Sequence, residues 1–153
     1  MRQKIFWLLL VIAVIALDQL IKSIILGGFR WHSEALSIVL VYNDGVAFSM
    51  LAFLQGYLKW LQIGFIALIV GYIFTQREIF ARYWLGFGLM IGGGISNVID
   101  RFVHGGVVDY VYWHYWFDFA IFNFADVMID IGVACLIIAW LIHERRQRRA
   151  VCE

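Results

Sequence analysis

Proline is absent from all 153 residues, and Asp, Glu, Lys and Arg together make up only 15% of them. Without proline, nothing in the chain obliges a long helix to kink or stop. So little charge cannot clothe a water-soluble domain, in which roughly a quarter of all residues are charged. Only two cysteines occur, Cys135 inside an apolar run and Cys152 in a basic tail. Their separation in depth excludes a disulfide scaffold, and both read as inert thiols. The formal net charge of +1 leaves no basic footprint for nucleic acid. His32, His104, His114 and His143 fall at no metal-ligand spacing, so neither a metal nor a cofactor is expected.

What the chain has in abundance is apolar surface: 63% hydrophobic residues, 18% aromatic, and a mean hydropathy of +0.84. This is the composition of an integral membrane protein. No repeat, low-complexity tract or soluble second domain interrupts it, so residues 1–153 read as one membrane-embedded domain. The expected fold is all-α, with four transmembrane helices at about residues 5–26, 57–76, 83–99 and 124–142, each near the ~20 residues a bilayer core requires. The first run follows Arg2 and Lys4 like a secretory signal, yet it is too long and lacks a small-residue cleavage site, so it reads as a retained span. Arg2 and Lys4, then Arg77 and Arg82, then Arg145, Arg146, Arg148 and Arg149 all fall on one side of such a bundle. The positive-inside rule makes that side cytoplasmic, with both termini there. The connections at about 27–56 and 102–123 then face outward. In the first, the run before Asn43-Asp44-Gly45 and the run after it suggest a small extracytoplasmic β element with a tight turn. The apolar stretch 50–55 suggests a helix lying on the membrane surface.

Charged residues within such a chain are costly unless paired or used. Asp18 and Lys22 lie four apart near the outer end of the first span, the spacing of an ion pair that fastens the helix to a neighbour, while Lys22 is also long enough to snorkel outward. Gly92-Gly93-Gly94 in the third span permits close helix contact. Beyond it, Asn97, Asp100 and Arg101 form a polar cluster near the interface. Asn43 and Gly45 satisfy turn geometry, or Asn43 presents its amide to a substrate. Asp118, in an aromatic loop, reads as a wet surface charge.

Asp109 follows Val107 and Val108, and Asp126 follows Asn123 at the start of the fourth span. A loop that folds back would bring both acids to one membrane face. Two nearby carboxylates sharing one proton supply a base to activate water and an acid for the leaving nitrogen, which amide hydrolysis needs. Asn or Arg donors would stabilise the oxyanion. Asp130, one helical turn beyond Asp126, is a rival that helix geometry alone does not exclude. A serine mechanism through Ser23 or Ser49 with Lys22 lacks a recognisable nucleophile turn. The alternative from another class is a small proton-coupled transporter, against which stand the four spans, the missing repeat and the confinement of acids to the outer boundary.

Five ordered motifs, spanning nearly the whole chain, resemble those of the lipoprotein signal peptidases, also called signal peptidase II. They are Asp18-x-x-x-Lys22; Asn43-x-Gly45-x-Ala47-Phe48-Ser49; Gly92-Gly93 with Asn97-x-x-Asp100-Arg101; Val107-Val108-Asp109-Tyr110; and Phe122-Asn123-x-Ala125-Asp126. The resemblance implies an aspartic endopeptidase of the bacterial inner membrane with its active site at the outer face. It implies Asp109 and Asp126 as the catalytic dyad, favouring Asp126 over Asp130. Asn43, Gly45, Asn97, Arg101 and Asn123 would surround the dyad, and Asp18, Lys22 and Asp100 would support it. The implied substrates are diacylglyceryl-modified prolipoproteins, cut before the lipidated cysteine, with membrane lipids as the other partners and the enzyme a monomer. Two positions depart from the family pattern, Ser96 where a glycine is common and Ala120 where proline is common. Both are small and are expected to lie away from the acids.

Overall fold

The computed structural model describes residues 2–45 and 55–151. Ala47, Phe48 and Ser49, the surface-helix stretch apart from Gln55, and Cys152 lie outside the described residues. Seven elements follow in order: α1 (Arg2–Leu26), β1 (Trp31–His32), β2 (Leu36–Asn43), α2 (Gln55–Thr75), α3 (Arg77–Val103), β3 (Val107–Trp113) and α4 (Phe124–Val151). The absence of proline lets the helices outrun the expected spans, and α3 and α4 reach 27 and 28 residues. α1 stops where glycine allows it to. Gly28 takes φ 102, and the amides of Gly28 and Phe29 return to the carbonyls of Ile25 and Ile24 at 3.1 and 3.3 Å, satisfying two orphan acceptors at the helix end.

The helices alternate in direction around α3. Gln3, Trp7, Val14 and Gln19 of α1 meet Ala81, Gly88, Gly92 and Ser96 in the same order, so α1 and α3 run parallel. Phe74 meets Phe80 and Gln62 meets Arg101, while Gly93 faces Ala125 and Gly86 faces Gly132. α2 and α4 are therefore antiparallel to α3. Both ends of the described chain and the one-residue link at Gln76 consequently share one end of the bundle, together with the arginine clusters.

Glycine sets the intimacy of α3 with α4. A Cβ at Gly86 would stand 2.8 Å from the Gly132 carbonyl oxygen, and one at Gly132 would stand 2.7 Å from that of Gly86. Side-chain-free backbones approach closely where hydrophobic force between helices is weak. Near the basic end, Trp7, Val11, Ile73, Phe80 and Ile91 form the apolar core, with Trp7 packed edge-on against Phe74 at 5.3 Å.

α1, α2 and α4 contain stretches long and apolar enough to cross a membrane, namely Arg2–Leu26, Gly56–Thr75 and Phe124–Arg149. α3 does not meet that standard, although at ~1.5 Å per residue it is about 40 Å long. Its position explains why: the other three helices pack on it, so it carries glycines and polar residues where they carry Phe65, Leu68, Ile138 and Trp140 on exposed faces.

The β element is a three-stranded antiparallel sheet in the order β1-β2-β3. β2 pairs with β3 from Leu36↔Trp113 to Asn43↔Val107, with a register irregularity between Ile38 and Val41. The tight turn at Asp44-Gly45 thus closes no hairpin among the described residues. β2 finds its partner more than sixty positions away, a pairing that alternation within one segment does not reveal.

Candidate active site

Asp109 and Asp126 reach one site by different local routes. Asp109 sits within β3, opposite Val41. Beyond β3 the chain folds back, with Phe122 bridging to Val111, and this delivers Asn123 to the start of α4. Asn123 then caps the helix reciprocally. Its Oδ1 accepts from the Asp126 amide at 2.9 Å, and its own amide donates to Asp126 Oδ2 at 3.1 Å. That is a capping box in which asparagine and aspartate replace the commoner serine and glutamate.

Other elements satisfy the remaining amides of the first α4 turn. Tyr110 Oη accepts from Phe124 N at 3.0 Å and Asp18 Oδ1 from Ala125 N at 2.9 Å. Four N–H groups that a helix ordinarily leaves open are thereby used to locate Asp126.

Asn123 also joins the two acids. Its Nδ2 donates to Asp109 Oδ1 at 2.7 Å and to Asn97 Oδ1 at 3.2 Å. Asn97 Nδ2 donates to Asp126 Oδ1 at 2.8 Å, and Asn43 Nδ2 to Asp109 Oδ2 at 3.0 Å. Each carboxylate therefore has neutral donors on both oxygens. The cationic support stands one layer away: Lys22 Nζ lies 2.6 Å from both Asp18 and Asp100 and 3.0 Å from Asn97 Oδ1.

Arg101 donates to Gln62 Oε1 at 3.0 Å and to the backbone carbonyls of Asn43 and Gly45. It ties the end of β2 and its turn to α3, and Gly45 N closes that turn on Asn43 Oδ1 at 3.0 Å.

These groups border a cavity of about 290 Å³ lined by Asn43, Gln62, Asn97, Arg101, Asp109 and Asp126 among others. Asp109 is only 2% exposed. Burial is the main force pushing its carboxyl up to about 6. The Asn43 hydrogen bond opposes the rise, the charge of Asp126 adds to it, and Asn123 and Lys22 pull it back. A second cavity of about 170 Å³, lined almost wholly by Phe65, Ile66, Ile69, Ile91 and their neighbours, shares Gln62 and Ile129 with the first.

Asp130 borders the same cavity, yet it is exposed and has no hydrogen bond or ion pair among the described residues. Asp118 is exposed too and accepts from Tyr112 Oη at 2.6 Å. Two expectations require correction, those for Lys22 and Ala120. Lys22 does not snorkel, being 1% exposed and enclosed by two carboxylates. Asp100 pairs with Lys22 while its neighbour Arg101 turns to Gln62 and the end of β2, because adjacent residues on a helix diverge. Ala120 is not away from the acids, since it lines the same cavity as Asp109 and Asp126, whereas Ser96 is hydrogen-bonded to neither and donates its Oγ to Asp18 Oδ2 at 2.7 Å. Gln19 and Gln62 were missed, and so was the role of Tyr110, which the sequence offered only as the end of a motif. The two glutamines were detectable as amides within apolar spans, whereas the Tyr110 contact depends on how β3 meets α4.

The fold and the buried polar cluster define a helical membrane protein with a two-carboxylate site at the end of the bundle opposite its basic clusters. A family model described as signal peptidase (SPase) II matches residues 10–142. The chain belongs to the signal peptidase II family. It is 58% identical over 125 residues to a protein of Wolinella succinogenes named lipoprotein signal peptidase, covering 82% of this chain and 86% of that one. The namesake of Helicobacter pylori strain 26695 is 54% identical over 136 residues, covering 89% and 87%. A bacterial membrane enzyme solved in meso at 2.3 Å resolution superposes with a TM-score of 0.77 at 29% identity, covering 89% of this chain and 87% of that one.

Proposed function

We propose that this protein is an aspartic endopeptidase that removes signal peptides from diacylglyceryl-modified prolipoproteins, cutting before the lipidated cysteine. The observation that carries the mechanism is the double hold of Asn123, through its side chain on Asp109 and through its backbone on Asp126. Two acids so linked share a proton as a pair. The ionised member takes a proton from water as it attacks the scissile carbonyl, and the protonated member supplies the leaving nitrogen. Asn43, Asn97 and Asn123 keep both carboxyls oriented, and the guanidinium of Arg101 retains donors beyond its three hydrogen bonds that suit a developing oxyanion.

The lipid requirement is supported by the apolar cavity that continues from the acid cavity past Gln62 and Ile129. Each methylene buried contributes about 0.8 kcal/mol, so an acyl chain both binds the substrate and sets the depth of its scissile bond. α3 serves as the fourth span, shielded by the other three helices. The family and the arginine distribution favour the bacterial inner membrane, with the termini cytoplasmic and the acids at the outer face.

Purified protein should cleave a diacylglyceryl-cysteine precursor peptide and leave the same peptide without lipid essentially uncut in one detergent. Asp109→Asn and Asp126→Asn should each abolish turnover with insertion intact, whereas Asp130→Asn should stay within a few-fold of the unaltered enzyme. Equal cleavage of the two peptides would remove the lipid requirement. Near-normal turnover by Asp126→Asn beside an inactive Asp130→Asn would remove the dyad.

A further inference from the structure

We propose that Ser96, acting with Gln19, is a positioning residue for Asp126; this rests on the dyad reading above. Ser96 is fully buried in α3. A helical serine commonly returns its hydroxyl to a carbonyl of its own helix, but here the hydroxyl crosses to α1. It donates to Asp18 Oδ2 at 2.7 Å and accepts from Gln19 Nε2 at 3.0 Å. The same Gln19 nitrogen donates to Asp100 Oδ1 at 2.8 Å.

The charge arithmetic shows why these two neutral groups matter. Lys22 carries one positive charge between the carboxylates of Asp18 and Asp100, each 2.6 Å from its Nζ. One ammonium does not neutralise two buried carboxylates, and an under-compensated buried charge is costly. Ser96 supplies a further donor to Asp18, and Gln19 supplies one to Asp100. The ammonium is then not drawn to either acid at the expense of its third contact, the 3.0 Å hydrogen bond to Asn97 Oδ1.

Two paths lead from Asp18 to Asp126. One runs through backbone, since Asp18 Oδ1 holds the amide of Ala125, the residue immediately before Asp126. The other runs from Lys22 to Asn97, whose Nδ2 holds Asp126 Oδ1 at 2.8 Å. Both begin at the carboxylate that Ser96 holds. Without the Ser96 hydroxyl, Asp18 pulls harder on Lys22, Asn97 keeps only the longer 3.2 Å bond from Asn123 on its Oδ1, and the Asp126 carboxyl is held less firmly on its Oδ1 side. A displacement of under an ångström at a reacting group is enough to slow turnover.

The test compares full-length Ser96→Ala, Gln19→Leu and the double variant with the unaltered protein in one detergent, using the diacylglyceryl-cysteine precursor peptide. Ser96→Ala should lower kcat by about three- to tenfold with KM within about twofold, at a temperature where melting curves show it fully folded. The double variant should lose less than the product of the single losses, because both residues act on one ion cluster. If Ser96→Ala fails to fold, Gln19→Leu carries the same expectation from the other side of Lys22. Unchanged kcat in the folded variants, or a loss confined to KM, would overturn the proposal. Absence of cleavage by the unaltered protein would instead overturn the proposed function, and this inference with it.

Discussion

At the scale of single residues, the burial that raises the pKa of Asp109 costs stability. Asp109 is held at about 6 in the folded protein against 3.8 ordinarily, so the folded state binds its proton more tightly than the unfolded one. The sign follows: above pH 6 this group destabilises the fold, and the penalty fades as pH falls from about 6 towards 4. The full penalty is about 3 kcal/mol, of which about 2 kcal/mol should be regained between pH 7 and pH 4.5. Melting curves of the unaltered protein and of Asp109→Asn should diverge in their pH dependence by that amount. Parallel curves would mean that Asp109 ionises as freely as an exposed carboxyl. Tyr110 offers a second check. Its hydroxyl is the acceptor for the Phe124 amide, and Tyr110→Phe leaves that amide without its partner, costing about 1–3 kcal/mol. Thermal stability should fall, and turnover should fall with it several-fold, because the same helical turn bears Asp126.

At the scale of elements, α3 is the template against which the site is built, and its glycines determine how near the acids come. A Cβ on Gly93 would collide with the Ala125 carbonyl oxygen and stand 2.9 Å from Ile129 Cγ1. The obstacle is backbone in the very turn that holds Asp126, so it does not yield cheaply. Gly64, on α2, has nothing within 4 Å of such an atom. Gly93→Ala should therefore reduce turnover at least tenfold and lower the melting temperature, whereas Gly64→Ala should leave both nearly unchanged. Activity assays and melting curves on the two variants decide it, and equal behaviour would show that α3 and α4 separate without consequence.

Over the whole molecule, the alternation of helix directions gathers the arginine clusters at one end and the acids at the other. With Cys135 and Cys152 replaced, a cysteine introduced at the exposed Glu34 should react with a membrane-impermeant thiol reagent in intact cells, and one introduced at Gln147 should react only after lysis. The reverse pattern would invert the topology. The basic end is also the apolar end, where Trp7, Phe74 and Phe80 interlock. The polar end is held instead by hydrogen bonds and ions. Packing thus anchors the end remote from the cavity, and directional contacts govern the end where geometry must be held.

Much of this was legible in the chain because the bilayer imposes simple rules. Apolar run length marks α1, α2 and α4, and arginine placement marks the end of the bundle that both termini share. The five motifs singled out every residue of the polar cluster except Gln19, Gln62 and Ser96, and they named Tyr110 without its contact to α4. These contacts escaped for one reason: the partners lie on other elements, and pairing between elements leaves no period in the sequence. Gln19 and Ser96 are 77 positions apart, and β2 reaches β3 across two helices. Read alone, the chain showed that it is membrane-embedded, that α4 begins at Phe124, and which acids are costly enough to need a purpose. Contacts between elements alone settled that Lys22 is enclosed rather than snorkelling, that Asp100 turns to Lys22 while Arg101 turns away, and that Asn123 spans both carboxyls, because each outcome depends on which helix faces meet at the glycines of α3.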